Sequence, residues 1–223
     1  SYVSTPPGPL DQCPAGTKRE YQPVLDIHVG IITSSLGGHG SDACASTGAG
    51  KQSNDDKAHL ISRKDPSLPA MIETYQASGF LAWDPSQKLN PPGEADLDMD
   101  SATDGNTTAL IPTLRDMLLG AGQIGCGYES QLESWYRFLV DPTPPESVTL
   151  DPDQKVVLNG IDKVLLDQRK RFLRPDSALV IVMLTDENDC SIREVGQYYF
   201  VAQQKTPNNG PFHLPKGRAL CET

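Results

Sequence analysis

The stretch Ser177–Cys190, reading Ser-Ala-Leu-Val-Ile-Val-Met-Leu-Thr-Asp-Glu-Asn-Asp-Cys, constrains this chain most. From Leu179 to Leu184 it is an unbroken apolar run, partly β-branched. That pattern predicts a strand buried on both faces, as in the middle of a parallel sheet. Asp186, Glu187 and Asp189 then crowd around Asn188 ahead of Cys190. The carboxyl end of such a strand is where open α/β sheets place their ligands. The competing reading is a loop of acids that is simply solvated.

A second strand is predicted in Val24–Ser34, where apolar, mostly β-branched residues run up to Ser34-Ser35 and Gly37-Gly38. His28 lies inside it and reads as a structural residue rather than a ligand. Helices are predicted over Ala109–Leu119, capped by Thr108, over Tyr128–Val140, and over Gly160–Leu173, each with apolar residues at helical spacing. Residues 1–22 are Pro-rich and polar and read as an extended arm. Residues 37–108 read as a long loop insertion, in which Gly79–Asp84 is an apolar island, either a strand or a loop anchor. Residues 193–223 read as an irregular tail. The whole is expected to be one α/β domain with its core between 24 and 192.

The insertion also carries Glu94, Asp96, Asp98, Asp100 and Asp104. Counting from Asp96, Ser101 and Thr107 stand where a calcium-binding EF-hand needs Gly and Glu, so a solvated loop is favoured. Asn106-Thr107-Thr108 fits a glycosylation acceptor, a match short enough to arise by chance. No nucleophile elbow, zinc-protease helix or phosphate-binding loop occurs, so no catalyst is expected.

A net charge of -10 argues against nucleic acid and anionic membranes as partners and is compatible with a cation. No apolar run approaches the roughly 20 residues of a membrane span. Ser1–Pro9 lacks the basic and apolar regions of a signal peptide, and no initiator Met is present, so the chain reads as processed or as part of something longer. Five cysteines, Cys13, Cys44, Cys126, Cys190 and Cys221, lie at long spacings without a CxxC pair. They read as disulfides of an oxidising compartment, with one left over. Buried free thiols in a cytosolic protein are the alternative.

The order of these parts resembles a von Willebrand factor A domain, and more closely a divergent form found in bacterial secreted and cell-envelope proteins. The matching stretches are Val29–Gly38, Gly125–Glu129, Phe172–Asp176 and Leu184–Cys190, spanning about residues 24 to 192. The resemblance implies a mostly parallel central sheet flanked by helices, a three-layer sandwich. It implies a Mg²⁺ or Ca²⁺ site at the carboxyl end of the sheet, with Asp186 as the third-loop ligand and Glu187 and Asp189 beside it. Two departures stand out: the chain has no DxSxS loop, and Cys126 occupies the place of the family's ligand Thr, a poor exchange for hard cations. The resemblance would put Cys126 and Cys190 on loops at the same end of the sheet. A disulfide between them would close a loop of about 65 residues and stabilise the fold by ~3–4 kcal/mol. Cys13 and Cys44 would form a second bridge and leave Cys221 over. The function implied is a non-enzymatic binding or adhesion module, secreted or held in the cell envelope as an outer-membrane lipoprotein, with a protein ligand. The alternative is an assembly subunit of a surface fibre or complex, which completes its sheet with a neighbouring chain.

Overall fold

The computed structural model describes residues 8–41, 43–48, 50–68, 70–97, 109–153, 155–193, 205–206 and 208–211. Strands β1 (Ile27–Gly30) and β2 (Phe80–Trp83) pair antiparallel, with Ile27 opposite Trp83 and Gly30 opposite Phe80. Strands β3 (Ser147–Leu150) and β4 (Val156–Asn159) form a separate antiparallel hairpin. Helices α1 (Leu110–Ala121), α2 (Gln131–Leu139) and α3 (Lys163–Phe172) fall within or close to the predicted spans.

The core is built on β2, whose four residues are all buried. Successive side chains of a strand point to opposite faces. Phe80 and Ala82 accordingly pack with Leu60, Phe138 of α2 and Leu165 of α3, while Leu81 and Trp83 pack with Leu110 and Met117 of α1. The stretch expected to be a loop insertion thus supplies the central strand: the apolar island Gly79–Asp84 is β2 and its flank. On its far side β2 is closed by Glu94, whose N–H donates to the Ala82 carbonyl at 2.7 Å.

Polar side chains tie these layers together. Asp162 caps α3 by accepting from the Leu165 N–H at 3.0 Å, and its other oxygen lies 2.6 Å from His59 Nε2. Arg169 of α3 donates to the carbonyls of Arg137, Phe138 and Asp141, which satisfies the C-terminal end of α2. Arg63 donates to both oxygens of Asp56 and, through Nε, to the Gly120 carbonyl at 2.7 Å. Thr33, just beyond β1, donates to the same Asp56.

The expected mostly parallel sheet flanked by helices does not form. Among the described residues the strands make only the two antiparallel pairs. The run Leu179–Leu184 belongs to neither, and its six side chains are exposed. Strand-forming residues do not make a sheet without an adjacent backbone edge, and no described segment hydrogen-bonds to this one. Thr108, Asp98, Asp100, Asp104, the sequon at Asn106 and most of the tail lie outside the described residues.

Gly120 measures how closely α1 is seated. A Cβ there would lie 1.8 Å from the Arg63 carbonyl oxygen. Alanine is the better helix former by about 1 kcal/mol, yet Gly120→Ala is expected to lower stability, because α1 must move off Arg63. Urea denaturation checks this: a midpoint equal to or above that of the parent refutes the close seating.

Candidate functional site

The acidic turn does not stand free; its second half serves α2. The first N–H groups of a helix lack partners within the helix, and side-chain oxygens satisfy them. Asp189 Oδ1 accepts from the Leu132 N–H at 3.0 Å, and Ser191 Oγ accepts from the Glu133 N–H at 2.9 Å. Ser191 also donates to Asp189 at 2.8 Å, and the Cys190 N–H donates to the Glu129 carbonyl at 2.7 Å. Thr185 accepts from Gln131 Nε2 at 2.8 Å. Asp186 and Glu187 are left on the exposed outer side. The three acids expected as metal ligands are therefore divided between a helix cap and solvent. Among the described residues no group of three or more His, Cys, Asp or Glu is placed to hold a metal ion.

The disulfide pairing also differs from the expected one. Cys44 joins Cys126, with Cα atoms 5.3 Å apart, while Cys13 and Cys190 are free thiols of intermediate exposure. Cys221 lies outside the described residues. Cys126 and Cys190 do come to the same end of the molecule, since Cys190 bonds Glu129 three residues from Cys126. The glycine-rich loop after Leu36 folds back over Cys126, however, and brings Cys44 to its sulfur. The Cys126 N–H donates to Ser35 Oγ at 3.2 Å and fixes the approach. Closing 82 residues of chain stabilises by up to about 4–5 kcal/mol on the loop-entropy argument. Peptide mapping without reduction is expected to recover Cys44 linked to Cys126; a Cys126–Cys190 or Cys13–Cys44 peptide would overturn this arrangement.

The same loop walls an open cleft of about 420 Å³, opposite the β3–β4 hairpin. His39, Asp55, Lys57 and Arg137 line it. His39 and Arg137 are buried, and Arg137 pairs with Glu133 at 3.3 Å. Burial, reinforced by the Arg137 charge, holds the His39 pKa down to about 4, against the opposing pull of Glu133 and Asp55. Burial pushes the carboxyls of Asp55 and Glu133 up. Nothing along the chain signals this cluster, because its members come from segments far apart in the sequence. His28, by contrast, behaves as expected: it bonds the Phe172 carbonyl at 2.8 Å and packs on Phe80 with ring centroids 4.5 Å apart.

A histidine held below its unfolded pKa of 6.5 costs stability once it is protonated. Between pH about 6.5 and 4 the unfolded chain binds the extra proton, so His39 destabilises progressively as the pH falls. The raised carboxylates of Asp55 and Glu133 act in the opposite sense, and the His39 charge lowers both. His39 has a φ of 48°, which Asn tolerates, so His39→Asn removes the titration with least backbone strain. The stability of the parent relative to this variant is expected to fall by up to about 3 kcal/mol from pH 7 to 4. A difference that stays constant over that range, measured by urea denaturation, refutes the assignment.

The most unusual surface is the run Leu179–Leu184. Leu179, Ile181 and Met183 are 48–49% exposed, and Val180, Val182 and Leu184 are 75–81% exposed. This alternation with a period of two is that of extended backbone whose two faces differ in exposure. Among the described residues, no backbone–backbone hydrogen bond reaches residues 178–189. Water-exposed apolar patches of this kind mark interaction sites. No family model, curated protein or solved structure matches the chain.

Proposed function

We propose that this chain is a non-enzymatic protein-binding module that assembles with another polypeptide by taking an extended apolar segment along Leu179–Leu184. The observation that carries the reading is six consecutive apolar residues exposed to solvent and, among the described residues, without a backbone hydrogen bond. A free apolar edge is a template for strand addition and a liability if left uncovered. The turn that follows it is anchored on α2 by Asp189 and Ser191, so the end of the run is held in place before a partner arrives.

The setting we propose is extracellular or within a cell envelope. The Cys44–Cys126 bridge supports an oxidising compartment. Among the described residues no helix is long and apolar enough to cross a membrane.

The test uses a fluorescent peptide of alternating Val and Ile flanked by Lys, titrated by anisotropy. Saturable binding is expected. The double substitution Val180→Asp and Val182→Asp falls on the most exposed face and is expected to leave the fold intact by circular dichroism while weakening binding at least about tenfold, an upper-range hot-spot effect. Absence of binding, or equal binding by the folded variant, sinks the proposal.

A further inference from the structure

Helix α1 is apolar over more of its circumference than the core covers. Leu110, Leu114 and Met117 fall on one arc of the helix and pack with Leu81 and Trp83 of β2. Ile111, Leu118 and Leu119 fall on the adjoining arc, which spans about 100° at 3.6 residues per turn. These three are 47–57% exposed. Arg115 is the one charged residue on that outer arc. The stretch 63–71 is seated against the last turns of the same helix. Lys64 pairs with Asp116 at 2.7 Å, Arg63 donates to the Gly120 carbonyl, and a Cβ on Gly122 would lie 2.4 Å from Pro66 Cγ. This stretch brings Leu68 and Met71, both exposed, to that end of the helix. A surface helix ordinarily turns one apolar stripe to the core and keeps its outer face polar. An apolar outer arc, joined by two more exposed apolar side chains, marks a contact surface.

The local charge selects what covers it. Segments 64–71 and 110–125 carry Lys64, Asp65, Arg115 and Asp116, two of each sign and no net charge, whereas the whole chain carries -10. The remainder of the molecule therefore holds all of the excess negative charge and repels a second copy. On this face two copies meet without that repulsion at the point of contact, and a basic partner finds no acidic excess to select. We infer that the outer face of α1 is a self-association surface, on which Ile111, Leu118 and Leu119 of one copy pack against the same face of a second in a twofold contact. None of residues 179–184 takes part, so this contact stands or falls apart from strand uptake.

Sedimentation equilibrium of the intact protein over the micromolar range tests the contact. A monomer–dimer equilibrium is expected, tightening as salt is raised, because salt screens the repulsion between two acidic copies. Leu118→Lys combined with Leu119→Lys places cations near the C-terminal end of α1, where a helix tolerates them. This variant is expected to keep the circular dichroism of the parent and to weaken dimerisation at least about tenfold. Should it lose its fold, Leu119→Gln, a good helix former at an exposed position, is expected to weaken dimerisation about threefold or more. Val180→Asp combined with Val182→Asp is expected to dimerise as the parent does. A parent that stays monomeric, a folded α1 variant that dimerises as well as the parent, a dimer that salt dissociates, or a dimer lost on substitution of Val180 and Val182 overturns the inference.

Discussion

The bidentate pair between Arg63 and Asp56 is the contact on which most of the arrangement depends. Both side chains are nearly buried, and neither could sit there unpaired without a cost of several kcal/mol. Asp56 accepts from Thr33 at the end of β1, and its own N–H donates to the Ser35 carbonyl. Arg63 reaches on to the Gly120 carbonyl near the end of α1. One charged pair thus fixes the exit of β1, the loop that follows and the helix over β2. The planar guanidinium suits this role, because its donors point in fixed directions toward both a carboxylate and a carbonyl.

The acidic turn shows how one residue type serves different purposes. Three carboxylates follow the apolar run. In the folded chain, the N-terminus of α2 presents unsatisfied N–H groups to the same turn, and Asp189 meets them. A carboxylate at a helix N-terminus gains from the hydrogen bond and from the helix dipole together. The result is a firm anchor at the end of an apolar run that has no described backbone partner.

The helices were legible in the sequence, while the arrangement of the sheet was not. The three helices follow from apolar spacing, and Asp162 ahead of α3 is a residue type that favours a cap. Part of β1 and the island that became β2 follow from local composition. The disulfide partners were not legible. Five cysteines at long spacing leave many pairings open, and the choice depended on the loop after Leu36 folding back over Cys126. The group of buried His39 and Arg137 with half-buried Asp55 and Glu133 left no trace either, since its members come from separate segments and meet only when α2 packs beside that loop.

By itself, the sequence determined where helices form, which six residues make the longest apolar run, and that the chain carries a large negative charge. Those properties are set by neighbours within a few positions: side-chain spacing, branching at Cβ and charge. Only the tertiary structure decided that this apolar run stays out of both sheets, that β2 is the centre of the core, and that Cys44 rather than Cys190 meets Cys126. Strand pairing and disulfide choice depend on which distant backbone edge or sulfur is brought within bonding distance, and that is fixed by packing.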